Sequence, residues 1–261
     1  PTPQRGRDIL FWLLNMLISL AIVATITTVV MASLIRLWPY RLDLTLKHYN
    51  IDLAGGYTPL WTSVGISALA AIVGTLLLFL LTFGIRRQPG RTADFATLLS
   101  ALPVGVPGLV LGLAYVFTFN SADLPWGMLY GTALLVALCN YYHYHTQGFT
   151  TMMMGMRHVP GSMEDATNVL GGGVVRIMRD VYLPAMRVTI ISVAMFLFMR
   201  SMVTLSAVIF LVTPSLPLGA VTVMRLDEAG FTSQAAAFST CIMGIVAIMA
   251  LLLNLLTGKR R

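Results

Sequence analysis

Six stretches of the chain run for more than twenty residues almost without a charge, and short polar segments separate them. They cover roughly residues 9–35, 59–85, 95–119, 126–146, 185–212 and 234–257. A helix needs about 20 apolar residues to cross a hydrocarbon core, so each run predicts a membrane-spanning helix. Five of the six hold no Asp, Glu, Lys or Arg; the run 185–212 holds Arg187 at its start and Arg200 inside it. One connection differs from the rest. Residues 163–184, MEDATNVLGGGVVRIMRDVYLP, carry Glu164, Asp165, Asp180, two arginines and three consecutive glycines.

Within that connection Met163, Ala166, Val169 and Leu170 recur at helical spacing, with Glu164, Asp165 and Asn168 on the other side. Pro160 suits a first helical turn. The two carboxylates suit the positive end of a helix dipole, and glycines 171–173 suit a left-handed stop. The predicted helix, from Ser162 to Leu170, is about 13 Å long, too short to cross a bilayer. It is expected to lie with its apolar side on the bundle and its polar side outward. A second short helix would carry Val174, Ile177, Met178 and Val181 on one face, with Arg176 and Asp180 as an i,i+4 pair. Pro184 then opens the next run. Spacing alone leaves two readings open: a connector lying on the lipid surface and a protein interface.

Charge gives the runs a direction. Of the 17 Lys and Arg residues, 12 flank alternate ends of the runs: Arg5, Arg7, Arg86, Arg87, Arg91, Arg157, Arg176, Arg179, Arg187, Lys259, Arg260 and Arg261. Only Arg36, Arg41, Lys47 and Arg225 fall on the other side. The positive-inside rule then puts both termini and the 163–184 connection in the cytoplasm. Trp38, Tyr40, Trp61, Trp126, Tyr141, Tyr142 and Tyr144 near the run ends are expected in an interfacial aromatic belt. The composition agrees: 57% hydrophobic and 10% charged, against about 25% charged in a soluble domain. A net charge of +7 spread over span ends does not indicate nucleic acid. Cys139 and Cys241 lie inside apolar runs, which argues against a disulfide framework or a zinc site. His143 and His145 are two apart and do not share a helix face, so no metal site is expected. The first run is too long for a signal peptide and has no cleavage site after it. A start at Pro1 fits initiator removal or a cut from a longer polypeptide.

The segment VPGSMEDATNVLGGGVVRIMRDVYLP, residues 159–184, resembles the EAA loop of the binding-protein-dependent permeases of ABC importers. Pro160 matches the family proline. Asp165, Ala166 and Thr167 stand where Glu-Ala-Ala is usual, Gly171 matches the glycine, and Leu183 and Pro184 match the closing pair. Aspartate for glutamate and threonine for the second alanine are the departures. ALPVGVPGLVLGLAYVFTFN, residues 101–120, resembles the third span of permeases in the ferric-iron and 2-aminoethylphosphonate branch. WPYRLDLTLKHYNID, residues 38–52, and residues 202–230 are most similar to the aminoethylphosphonate members.

The resemblance implies an all-α polytopic permease domain over residues 1–261, with six transmembrane helices and a cytoplasmic coupling helix between the fourth and fifth. It leaves room for this unit to be half of a longer fused permease. It places Glu164, Asp165, Ala166, Thr167 and Gly171 at the contact with an ATPase. It implies no enzymatic activity and no cofactor in this chain, because a cytoplasmic ABC ATPase dimer hydrolyses ATP. The other implied partners are a second six-span permease domain, an extracytoplasmic solute-binding protein and the inner-membrane bilayer. The expected solute is 2-aminoethylphosphonate, with ferric iron as the alternative.

The residues agree with a permease that leaves ATP to a partner. Glycines 171–173 lack the following Lys and Ser or Thr of a P-loop. An ion-coupled secondary transporter usually keeps ionisable groups inside its spans, whereas all ten acidic residues fall outside these runs. An intramembrane protease needs paired carboxylates or a histidine set, and nothing in the spacing brings Ser67 or Ser192 to His143. Pro103, Gly105, Pro107, Gly108 and Gly112 should break or kink the third span. Close helix packing and a hinge or pore-lining break both account for them. Arg200 sits near the middle of the fifth run, where a guanidinium costs about 2.5–3.5 kcal/mol on insertion scales. It must face the bundle interior or water, either bonded to a neighbour such as Ser201 or Thr204 or lining the path of an anion. Arg200, Ser201, Thr204 and Asn120 are the candidates for that path.

Overall fold

The computed structural model describes residues 5–37, 40–51, 55–121 and 124–258. Pro1, Trp38 of the expected aromatic belt, and Lys259, Arg260 and Arg261 of the charge count lie outside the described residues. The chain is mostly helical and divides into two compact units, Pro1–Gly56 with Thr222–Met243, and Tyr57–Val221 with Gly244–Arg261.

In the first unit α1 (Arg5–Leu34) is a continuous apolar helix whose side chains are exposed along nearly its whole length. A small hairpin follows, an addition to the all-α expectation. β1 (Ile35–Leu37) pairs antiparallel with β2 (Arg41–Leu44), with Ile35 opposite Leu44. The alternation in RLDL is the period-two pattern of a strand, and the six-run reading had absorbed Ile35 into a helix. The segment folds back onto the end of α1: the Tyr49 hydroxyl lies 2.9 Å from Ser33 Oγ, and a His48 ring nitrogen lies 3.0 Å from the Ile35 carbonyl.

The second unit is built around α2 (Thr58–Arg86), which packs along α5 (Ala133–His143), α6 (His145–Arg157) and α10 (Arg187–Met202). Small residues let it do so. A Cβ on Gly74 would meet Tyr141 and Leu197 at under 3 Å. Before α5 come α3 (Gly90–Ala101), a 3-10 turn at Leu102–Gly105, and α4 (Gly108–Phe119). Between α6 and α10 lie α7 (Gly161–Val169), α8 (Val174–Ile177), a π turn at Met178–Tyr182, and α9 (Leu183–Ala185). The chain ends with α11 (Gly219–Glu228) and α12 (Thr232–Gly258). One apolar core joins Ile66 and Ala70 of α2, Leu111 of α4, Leu135 and Val136 of α5, and Ala207, Val208 and Leu211 of the segment after α10.

Three of the six predicted spans are single helices long and apolar enough to cross a membrane: Gly6–Leu34, Thr58–Arg86 and Thr232–Thr257. The other three differ from straight runs. The third is broken as its prolines and glycines suggested, Gly90–Gly105 meeting Gly108–Phe119 at 105°. Val106 is extended, because proline crowds the residue before it out of the helical region, and Pro107 then stands at the N-cap of α4. The fourth was expected at 126–146. Instead Thr132 caps α5, accepting from the Leu135 N–H at 3.3 Å, and helical bonding passes Tyr144 through Gly148 N–H to Tyr144 O. Helix then continues to Arg157. Thr150 and Thr151 are polar in sequence, but their hydroxyls donate to carbonyls four residues back, Thr146 and Gln147, which hides their polarity on the helix itself. The fifth span stops at Met202 rather than Val212, and residues 203–213 form turns. Its approach is bent too, Val174–Ala185 meeting Arg187–Met202 at 76°.

The glycines of the broken third span do two different jobs. A Cβ on Gly112 would stand 2.6 Å from the Ala207 carbonyl oxygen, whereas one on Gly105 meets nothing within 4 Å. Gly112→Val should therefore destabilise the folded chain by about 1–3 kcal/mol through overpacking, while Gly105→Ala leaves it unchanged. Thermal unfolding in detergent reads the difference, and equal midpoints would refute the close approach.

Candidate functional site

Two polar constellations stand out in the second unit. The first is the loop 159–184. Pro160 is the N-cap residue of α7 in extended conformation, and Gly171 takes φ +75°, the left-handed stop expected from glycine. The Gly172 N–H bonds the Thr167 carbonyl at 2.8 Å and the Gly171 N–H that of Asn168 at 2.9 Å. Thr167 itself donates to Met163 O. Arg176 Nε lies 3.4 Å from Asp180 Oδ2 on the exposed side of the second short helix, as the spacing predicted.

Asp165 and Asn168 of α7 face outward as expected, but its apolar residues and Glu164 do not lie where the spacing put them. Val169 and Leu170 are 87% and 77% exposed and Met163 is exposed too, while Glu164 turns inward. The reason is charge. Arg86 and Arg87, at the end of α2, present two guanidinium groups there, and a carboxylate that neutralises them gains more than a small apolar face. Glu164 Oε1 lies 3.4 Å from Arg86 Nε, and Oε2 lies 3.7 Å from Arg87 Nη1. The Tyr182 hydroxyl donates to Oε1. Burial, and then this bond, push the Tyr182 hydroxyl up to about 12, so it remains a donor throughout the physiological range. Arg86 also donates to the carbonyls of Met156 and, at 2.8 Å, Val159. Its guanidinium lies 5.4 Å from the centre of the Tyr182 ring. Charge-assisted bonds of this kind contribute about 1.5–3 kcal/mol each.

Of the five residues expected at a partner contact, Asp165, Ala166 and Gly171 are exposed, Thr167 is half-buried, and Glu164 is held inside the chain. Arg86, Arg87 and Tyr182 were not singled out as site residues by the sequence reading. The adjacent arginines at a span end read as a topology signal, and Tyr182 read as part of a connector.

The second constellation surrounds Arg200. The residue lies in the last turn of α10 rather than mid-span. Its guanidinium carbon sits 4.8 Å from the centre of the Tyr144 ring, over its face, a cation–π arrangement. Tyr144 was expected at the interface but is 6% exposed. Thr204 Oγ1 lies 2.9 Å from the Tyr144 hydroxyl and 2.7 Å from the Arg200 carbonyl, satisfying an acceptor that the helix end leaves free. An open cleft of about 460 Å³ is lined by Leu109, Tyr144, Arg200, Thr204, Ser206 and Ile209, among others. The ion pairs among the described residues use Arg7, Arg41, Arg86, Arg87 and Arg176; Arg200 joins none. Of its predicted companions, Thr204 shares the cleft. Ser201 turns away to accept from Asn140 Nδ2 at 2.6 Å, and Asn120 caps the far end of α4. Among the described residues no cluster of His, Cys, Asp and Glu could hold a metal ion.

No family model matches the chain. A ferric transport system permease protein, FbpB of Actinobacillus pleuropneumoniae, is 24% identical over 235 residues, covering 86% of this chain and 33% of that protein. A putative 2-aminoethylphosphonate transport system permease protein, PhnV of Salmonella paratyphi A, is 21% identical over 232 residues, 88% of this chain and 86% of that one. The fold matches a crystal structure of a bacterial ABC transporter involved in importing the acidic polysaccharide alginate, with a TM-score of 0.76, 14% identity and 99% of both chains covered. A second match, TM-score 0.74, is a bacterial alginate ABC transporter in complex with an alginate pentasaccharide-bound periplasmic protein; it is 14% identical and covers 97% of this chain and 96% of that one. The chain is a relative of the ABC-importer permeases, in their ferric-iron and phosphonate branch. It spans about a third of the length of the ferric relative and most of the phosphonate one. In this permease fold the two constellations divide between the helices: the Glu164 cluster gathers the ends of α2 and α6, and the Arg200 cleft opens where α10 stops.

Proposed function

We propose that this chain is the membrane subunit of an ABC importer that conducts an anionic solute, 2-aminoethylphosphonate being the reading the site supports best. The observation that carries the solute class is Arg200. It stands on Tyr144 at the end of an interrupted helix, in an open cleft, with no carboxylate partner among the described residues. A helix that stops inside an apolar bundle is tolerated where its backbone is buried in protein or lines a cavity, and this one does both. The guanidinium fork matches phosphonate oxygens two at a time. Ferric iron is the second reading, favoured by the ferric relative. A bare ferric ion would meet only positive charge at Arg200, so that reading needs the metal to arrive as an anionic chelate.

Energy would come from an ABC ATPase dimer in the cytoplasm. The coupling surface is α7, whose outward side carries Met163, Val169 and Leu170 around Asp165 and Ala166. Such an apolar patch rimmed by charge marks a protein contact. A second six-span permease domain, in the same or a separate chain, and a solute-binding protein outside the membrane would complete the importer; the alginate transporter with its periplasmic protein supports the latter. Six crossings follow if each bent pair and the α5–α6 helix count as one each, with both termini in the cytoplasm.

Arg200→Gln should lower solute uptake by proteoliposomes more than Arg200→Lys does, by about tenfold for the lost charge-assisted bonds, with the complex still assembled. Equal uptake by wild type and both variants would remove Arg200 from the path. Asp165→Lys and Gly171→Val should abolish ATP-driven uptake while the chain still inserts. The second would force a β-branched residue into a left-handed turn at a cost of about 1–2 kcal/mol. Uptake at the wild-type rate in both would refute the coupling surface. For topology, a cell-impermeant thiol reagent should label Lys47→Cys and not Arg91→Cys; the reverse pattern would invert the arrangement.

A further inference from the structure

α7 buries none of its residues fully. Its hold on the bundle therefore does not come from an apolar face, and a single carboxylate takes that role. Glu164 is met by groups from elements far apart in sequence. Arg86 and Arg87 end α2, and Tyr182 ends the π turn that leads through α9 into α10. Arg86 at the same time holds the carbonyls of Met156, in the last turn of α6, and Val159, just before α7. Ring contacts stiffen the group: Phe83 of α2 meets Tyr182 edge-to-face at 5.2 Å, and Arg87 lies over Phe83. Tyr182 is fully buried. A π turn is a locally unfavourable geometry that often marks a functional position, and here it places that tyrosine under the carboxylate.

The far ends of the same helices matter as much. α2 packs along α10, and α10 carries Arg200 in its last turn. A displacement of α7 thus reaches the cleft through rigid helices and one polar joint. We infer that Arg86, Glu164 and Tyr182 are positioning residues that turn movement of α7 into movement of α2 and α10, and so set how tightly ATP hydrolysis is tied to solute movement. This rests on the permease reading. A cluster that merely staples the loop in place would affect hydrolysis and uptake alike, whereas a joint fails by letting one run without the other.

The test uses the full chain assembled with its ATPase and binding protein in proteoliposomes. Uptake of radiolabelled 2-aminoethylphosphonate or of radioactive ferric citrate is divided by ATP hydrolysed. Glu164→Gln and Arg86→Gln should lower that ratio by about tenfold, within the usual range of coupling energies. The exchanged pair Arg86→Glu with Glu164→Arg should recover part of it, as a direct interaction requires. Tyr182→Phe removes only the hydroxyl and keeps the packing, so it decides the matter if the charge variants do not assemble; it too should lower the ratio. On the chain alone in nanodiscs, Glu164→Gln should raise amide exchange together in α7 and in residues 178–182, by about tenfold for a released local unit. An unchanged ratio in Tyr182→Phe and the assembled charge variants would overturn the joint, as would an equal fall in uptake and hydrolysis. Exchange that rises in α7 but not in 178–182 would overturn it as well. If the wild-type assembly shows no ATP-driven uptake of either solute, the permease reading fails first and takes the coupling role with it; a fault in the variants alone leaves that reading standing.

Discussion

Every backbone N–H and C=O in a chain this apolar must find its partner within the protein, because hydrocarbon offers none. Most of the structure is a response to that demand. Where helices run unbroken, as in α1, α2 and α12, the demand meets itself. Where they stop inside an apolar run, something specific takes over. At the end of α10 the hydroxyl of Thr204 takes the Arg200 carbonyl and the Thr204 N–H takes that of Ser201. Past that point, Val208 and Ile209 both donate back to Leu205. The side chains of this turning segment, Ala207, Val208 and Leu211, are fully buried in the core. The interruption is thereby made tolerable, and it leaves a cationic side chain beside an open cleft.

The same demand explains why glycine and proline gather in the broken third span. Pro103 and Pro107 remove N–H donors, so the chain there cannot continue as one helix. Gly112 then lets α4 approach the backbone of Ala207 more closely than any side chain would permit. Packing and bending, which compete as explanations when only the sequence is read, are both realised, at different residues a few positions apart.

Charge obeys a parallel rule at the polar end of the second unit. Two arginines close α2 where the chain leaves its apolar run, and they draw the one glutamate of the connecting loop inward. An amphipathic helix with four small or medium apolar residues has little to gain by burying them against such a surface. The helix turns its carboxylate to the arginines and its apolar residues to the outside. The result is a loop tethered by polar bonds and presenting an apolar, partly acidic face, which is the chemistry expected of a surface that a partner covers.

Legible in the sequence were the membrane class, the three unbroken spans, the break near Pro107, the helix from about 162 to 170, the left-handed glycine after it and the pairing of Arg176 with Asp180. Each depends on residue type or on spacing within one element, and local backbone chemistry decides it. The sequence also marked Arg200 as a charge needing an explanation. Only the tertiary structure decided the rest. It moved the fourth helix toward Arg157, since threonines that bond their own backbone look polar in sequence and behave as apolar in a helix. It ended α10 at Met202, since a run of apolar residues reads alike as helix or as buried turns. It buried Tyr144 beneath Arg200 and turned Glu164 toward Arg86, Arg87 and Tyr182, partners 78, 77 and 18 positions away. Hydrophobic periodicity ranks faces within a helix, but which face is buried depends on what stands opposite, and that is a property of the assembled fold.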